Sequence, residues 1–130
     1  RLEIADLFSR LARLLDEKRW ACPDAAAIFA DDVLVRSPRT GELRGLDKLV
    51  AFLRQGDIEG VHTQHITTDL LVDLAGDHAT TSAYSLVFFY RDGRPPHQTS
   101  GLRLAYAARR TPAGWRLSEG QVTLAWKRED

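Results

Sequence analysis

Two long runs of strand-forming residues, separated by one tight turn, constrain this chain more than anything else in it. The first reads V-H-T-Q-H-I-T-T-D-L-L-V-D-L from Val61 to Leu74, and the second reads H-A-T-T-S-A-Y-S-L-V-F-F-Y from His78 to Tyr90. Thr, Val, Ile, Tyr and Phe suit a pleated, half-buried surface, and Ala75-Gly76-Asp77 between the runs is turn chemistry. The two predict a long antiparallel hairpin. Strands of this length do not lie flat: they twist, and a sheet built from them coils.

The chain after the hairpin repeats the pattern. Arg91 to Pro96, with Asp92-Gly93 at its tip, turns into a third long strand from His97 to Arg109. Thr111 to Gly114 turns again into a fourth, Trp115 to Trp126, leaving Lys127 to Asp130 as a frayed tail. Gly101 and Gly120, inside these strands, are natural places for a bulge or bend.

Before the hairpin the period changes. Ile4, Leu7, Phe8, Leu11, Leu14 and Leu15 recur at three- and four-residue spacing, which predicts a helix from Leu2 to Lys18 with one broad apolar face. Trp20 follows and packs back on it. Pro23 suits the first position of a short helix, Asp24 to Phe29. Val33 to Arg36 and Glu42 to Arg44 read as short strands around a turn at Pro38 to Gly41. Leu46, Leu49, Val50 and Leu53 mark a third helix, Leu46 to Gln55, closed by Gly56.

Helices gathered first and long strands gathered after predict an α+β fold in one domain spanning residues 1–130. The expected architecture is a strongly curved antiparallel sheet with three N-terminal helices covering its concave face. Such a cone, apolar with a few polar groups, is a ligand site by shape.

Charge narrows the partners. Eighteen basic residues balance eighteen acidic ones, and no basic run carries interleaved aromatics, so neither nucleic acid nor a membrane surface is an expected partner. No apolar run reaches membrane length and no signal-peptide pattern is visible, which points to a cytoplasmic protein; the chain opens on Arg1 rather than Met, as if an N-terminal piece were missing. The single cysteine, Cys22, excludes an internal disulfide and a multi-cysteine zinc site, and among Ala and Pro it reads as a small buried hydrophobe.

Strand side chains alternate faces. Thr63, His65, Thr67, Asp69 and Leu71 are expected on one face of the first arm, and Ala83, Ser85, Val87 and Phe89 on one face of the second. The opposite row, Tyr84, Leu86, Phe88 and Tyr90, is too apolar to face water, so the convex face is expected to pair two copies of the chain as a homodimer.

His65 is the best functional lead, a titratable ring halfway along a strand that helices must cover. Asp16, at the end of the first helix beside Leu11 and Leu15, is its expected partner. A carboxylate bonded to an imidazole fixes the tautomer and raises basicity, giving an acid–base unit near neutral pH. On spacing alone Asp16 is also a solvated residue in a charged helix end, and a lone strand histidine is as often a satisfied core group. His62 and His65 point to opposite faces and cannot chelate together, so no metal is expected, and no phosphate loop or nucleophile elbow suggests a cofactor. Glu119 and Arg103 are expected to pair inside the cone.

Leu15 to Trp20 (L-D-E-K-R-W), Phe29 to Val33 (F-A-D-D-V), Thr63 to Ile66 (T-Q-H-I), the Gly76-Asp77 turn and Gly114 to Leu117 (G-W-R-L) together resemble the SnoaL-like group of the nuclear transport factor 2-like superfamily. That group includes polyketide cyclases and scytalone dehydratase. The resemblance implies that Asp16 orients His65, which moves protons while water is lost. Other groups of the dehydratase site are replaced: its two tyrosines fall at Leu15 and Val35, a second histidine at Phe89 and an asparagine at Leu102. The implied cavity is greasier, lined by Leu11, Leu15, Val35, Leu53, Val87, Phe89 and Leu102, with Ser100 as a polar contact. The expected function is cofactor-independent lyase or isomerase chemistry, of dehydratase or polyketide cyclase type, on a hydrophobic cyclic molecule. The alternative is a non-catalytic ligand-binding or dimerisation module on the same fold.

Overall fold

A computed structural model describes residues 1–130. The elements run α1 (Leu2–Asp16), α2 (Cys22–Ala26), β1 (Phe29–Ser37), β2 (Gly41–Arg44), α3 (Leu46–Gln55), β3 (His62–Ala75), β4 (His78–Tyr90), β5 (Gln98–Thr111) and β6 (Gly114–Glu129). The strands form one six-stranded sheet in the order β2-β1-β6-β5-β4-β3. All neighbouring pairs are antiparallel except β1 with β6, which run parallel and are separated in the chain by β2, α3, β3, β4 and β5. The α+β architecture is the expected one.

The helices lie against the concave face. Ile4, Leu7, Phe8 and Leu14 of α1 are buried, as are Leu46, Leu49 and Val50 of α3. They meet the inward side chains Val33, Val35, Ala79, Ala83, Leu104, Tyr106, Ala108, Trp115 and Leu117 in one continuous core. Burial at roughly 25 cal/mol per Å² of apolar surface is what holds helices this short in place, since isolated helices of their length are marginal in water.

Several boundaries differ from expectation. The first helix stops at Asp16, and Lys18 takes a positive φ of 55° that reverses the chain toward Trp20. The second helix starts at Cys22 and ends at Ala26, because Phe29 already pairs with Leu117 as the start of β1. Cys22 is exposed rather than buried, since Ala25 is the residue of this five-residue helix that reaches the core. The expected frayed tail is instead paired, with Lys127, Arg128 and Glu129 in register with Ser100, Thr99 and Gln98.

The face assignment holds along β4 and breaks once in β3. Asp69 adopts φ 53°, and the register slips between Thr68 and Leu71. This bulge reverses the alternation, so Leu70 and Val72 pack on the core while Leu71 is 66% exposed. Leu71 therefore leaves the face it was expected to share with His65. A second slip lies between Gly101 and Leu102, where Trp126 faces Gly101 and Ala125 is left over. Gly120 plays a different part from the expected bend. A side chain there would overlap the buried ring of Tyr106, so glycine at 120 is what lets that ring lie flat on β6.

The expected ion pair inside the cone does not form. Arg103 and Glu119 both point outward, and Glu119 takes Arg36 at 2.8 Å instead. The cause is a register slip: Ala107 pairs with Glu119 and Ala108 with Leu117, so Ser118 is left over and Glu119 falls on the face opposite to buried Leu117.

Candidate active site

Where α1 ends, its last residue reaches across to β3. Asp16 Oδ1 lies 2.6 Å from His65 Nδ1 and accepts from Thr63 Oγ at 3.0 Å, while Oδ2 accepts from the His65 backbone N–H at 2.8 Å. Two local facts make this possible. Asp16 follows Leu14 and Leu15 on the inner side of the helix, so core packing carries it inward. Thr63 and His65 are two apart on a strand, so both present their side chains to the same point.

The carboxylate is acceptor-only, so His65 donates from Nδ1, and in the neutral ring it is Nε2 that carries the lone pair. Nε2 has no partner in the chain, and the His65 side chain is 15% exposed against 21% for Asp16. Burial by itself would raise the Asp16 carboxyl. The bonds from the His65 ring and backbone, the ring's charge and the Thr63 hydroxyl outweigh it and hold Asp16 below the usual carboxylate range. Asp16 is thus ionised at neutral pH and holds the ring in one orientation. An imidazole fixed in this way can take a proton at Nε2 and return it.

The strand register arranges the inward side chains in layers. Thr63, Phe89 and Gln98 form the first, His65, Val87 and Ser100 the second, Thr67, Ser85 and Leu102 the third, and Ala83, Leu104 and Val122 the next. Val35, Val87 and Ser100 are buried. Leu11, Leu15, Leu53, Leu102 and Phe89 are only half-buried, and Leu11, Leu15, Leu53 and Leu102 also pack on the core. Ser100 accepts from Gln98 Nε2 at 3.3 Å.

Sequence reasoning missed Thr63 as a ligand of Asp16, although its spacing to His65 was a usable signal. It also gave no part to Ser85. His62, on the outer side, lies with Nε2 3.0 Å from Asp92 and sits tilted beside the Tyr90 ring. No three His, Cys, Asp or Glu side chains gather as a metal site. Two surface grooves lie away from the dyad. One, of about 320 Å³, runs between α1 and α2 among side chains that pair with each other, such as Arg10 with Asp6. The other, of about 690 Å³, lies on the convex face by Leu71, Tyr84 and Arg103.

The fold recurs in solved structures. The Kfla4162 protein of Kribbella flavida superposes with a TM-score of 0.86 at 24% identity, over 98% of this chain and 92% of that one. The LinA-type3 hexachlorocyclohexane dehydrochlorinase of Novosphingobium barchaimii gives 0.85 at 15%, over 100% and 89%. ActVI-ORFA of Streptomyces coelicolor gives 0.81 at 20%, over 95% and 96%. No curated protein matches by sequence. The SnoaL-like domain model matches residues 1–120. The chain, with its helix-covered curved sheet, belongs to the SnoaL-like domain family.

Proposed function

We propose that this protein is a cofactor-independent lyase or isomerase of the dehydratase or cyclase kind, acting on a hydrophobic cyclic, polyketide-like molecule held in the mouth of the cone. One observation carries the proposal: Asp16, itself bonded by Thr63, holds His65 at Nδ1 so that Nε2 is its free nitrogen, among half-buried apolar side chains. His65 is the general base and then the general acid, and Asp16 orients and polarises it. Leu11, Leu15, Val35, Leu53, Val87, Phe89 and Leu102 supply apolar contact, and Ser100 a polar one. One structural neighbour is by its name a dehydrochlorinase of a chlorinated cyclohexane, which is an elimination on a hydrophobic ring. Turnover of a panel of cyclic ketones and polyketides by wild type and His65→Ala tests the mechanism. Loss of about a hundredfold or more is expected; full turnover by the variant on the same substrate sinks it.

A second reading is a ligand-binding module without turnover. The apolar residues Leu15, Val35, Phe89 and Leu102, which stand where the dehydratase pattern has polar ones, favour it. Saturable binding with no substrate consumed on the same panel would select it.

The convex face belongs to the same proposal. Tyr84 is 56% and Trp126 50% exposed; Ile66, Leu86 and Trp126 lie in one row across the outer side of the sheet, with Tyr84 two residues from Leu86 along β4. A second copy seated on this row would bury them. Sedimentation should give a dimer for wild type and a monomer for Leu86→Glu, with the thermal midpoint of the protomer little changed. A monomeric wild type at tens of micromolar, roughly, removes the dimer.

A further inference from the structure

The interior of the cone holds a polar group that the chain itself leaves unanswered. Ser85 is 3% exposed, and its hydroxyl has no hydrogen-bond partner. The other buried inward hydroxyls are paired: Thr81 donates to the Tyr106 carbonyl at 2.8 Å, and Ser100 accepts from Gln98. A buried hydroxyl without a partner has given up water for nothing, and alanine would fill the same space without that loss. The question is what the hydroxyl is there to meet.

Its position answers by geometry. Ser85 lies directly across from Thr67 on one side and Leu102 on the other, one layer below His65 and diagonal to it. Diagonal neighbours on one sheet face stand about 7–8 Å apart. That span accepts a ring oxygen at the Ser85 hydroxyl with an adjacent ring carbon at His65 Nε2. The neighbouring side chains are partly open to solvent: Thr67 and Leu102 are half-buried, and Leu124 of β6, opposite Leu102, is 40% exposed.

We infer that Ser85 is a recognition residue which hydrogen-bonds an oxygen carried on the ring of the bound molecule. The inference rests on the proposed role of the cone as a ligand site and narrows it. The ligand class is an oxygenated ring, a cyclic ketone or its enol, rather than a hydrocarbon or a halogenated ring. A carbonyl accepts from the Ser85 O–H and an enol can also donate to it, whereas C–H and C–Cl groups leave it unpaired.

1-Tetralone and tetralin are matched probes, the same bicyclic skeleton with and without the carbonyl. Their dissociation constants are read by NMR titration of the intact chain, in wild type and in Ser85→Ala. The difference in water affinity between the probes cancels when the two selectivity ratios are compared. The preference for tetralone over tetralin should fall about tenfold in Ser85→Ala. Ser85→Cys, similar in shape but a weaker donor, should fall between. The ligand-free alanine variant should melt no lower than wild type, because it loses an unpaired group. An unchanged selectivity ratio overturns the role of Ser85 and leaves the cone as a ligand site. Failure of wild type to bind either probe overturns both. A lower melting point for ligand-free Ser85→Ala assigns the hydroxyl a structural part and overturns the inference as well.

Discussion

Replacing Asp16 with asparagine separates the structural and chemical parts of the dyad, because the amide has one acceptor oxygen where the carboxylate has two. Three donors converge on Asp16: Thr63 Oγ and the His65 ring at Oδ1, and the His65 backbone N–H at Oδ2. If the amide nitrogen faces the His65 backbone, two N–H groups oppose each other, and an unpaired buried donor costs about 1–3 kcal/mol. A peptide N–H cannot adapt, but an imidazole can change tautomer and a hydroxyl can rotate. The amide oxygen should therefore stay on the backbone N–H while its nitrogen donates to Nδ1 and to Thr63. His65 then carries its proton on Nε2, where wild type has a lone pair. Three charge-assisted bonds become neutral ones of roughly half the strength. With partial exposure of the site, the cost is about 1–2 kcal/mol, or roughly 4–8 °C in melting temperature for a chain of this size. Turnover should fall by about a hundredfold or more, since the base is no longer at the mouth. The assay is nitrogen NMR of the neutral ring. Wild type should show Nδ1–H and Asp16→Asn should show Nε2–H. A wild-type ring protonated on Nε2, or the same tautomer in both proteins, refutes the reasoning.

Two more outcomes follow from particular contacts. Thr63→Val keeps the shape of the side chain and removes one donor from Asp16, so it should cost about 0.5–1.5 kcal/mol in urea unfolding at neutral pH. Asp16 is held below the usual carboxylate range, so its stabilisation is complete above the unfolded value of about 3.9 and is lost as pH falls through the lower folded value. The Thr63→Val deficit should fade over that acid range, and a deficit that persists unchanged would mean that Thr63 acts by packing alone. Gly120→Ala should destabilise by about 2 kcal/mol, since the buried Tyr106 ring, edge-on to Phe8, has nowhere to move. Gly101→Ala should cost less than Gly120→Ala in the same thermal melts, because the half-exposed Trp126 ring over it can swing into solvent; equal losses would refute the distinction.

The α+β class, the three helices, the four long strands and the inner face of β4 were legible in the sequence, because each depends on local period. An apolar stripe at three and four residues buries only as a helix, and alternation over a dozen residues buries only as a strand. The sequence also singled out Asp16 and His65, the second by its place in a ladder and the first with help from the family resemblance. What it did not carry are facts of register and of closure. The Asp69 bulge exposes Leu71, and no single-chain period announces a residue at positive φ. The outward turn of Glu119 follows from how β6 pairs with both β5 and β1, partners distant in the chain. The contact between Asp16 and His65 spans 49 residues and exists only because packing of α1 delivers its last residue to β3. The unpaired hydroxyl of Ser85 is a property of its surroundings alone. Local sequence determines which elements form and which side chains could meet; the closure of the sheet, whose hydrogen bonds join residues far apart, decides which of them do.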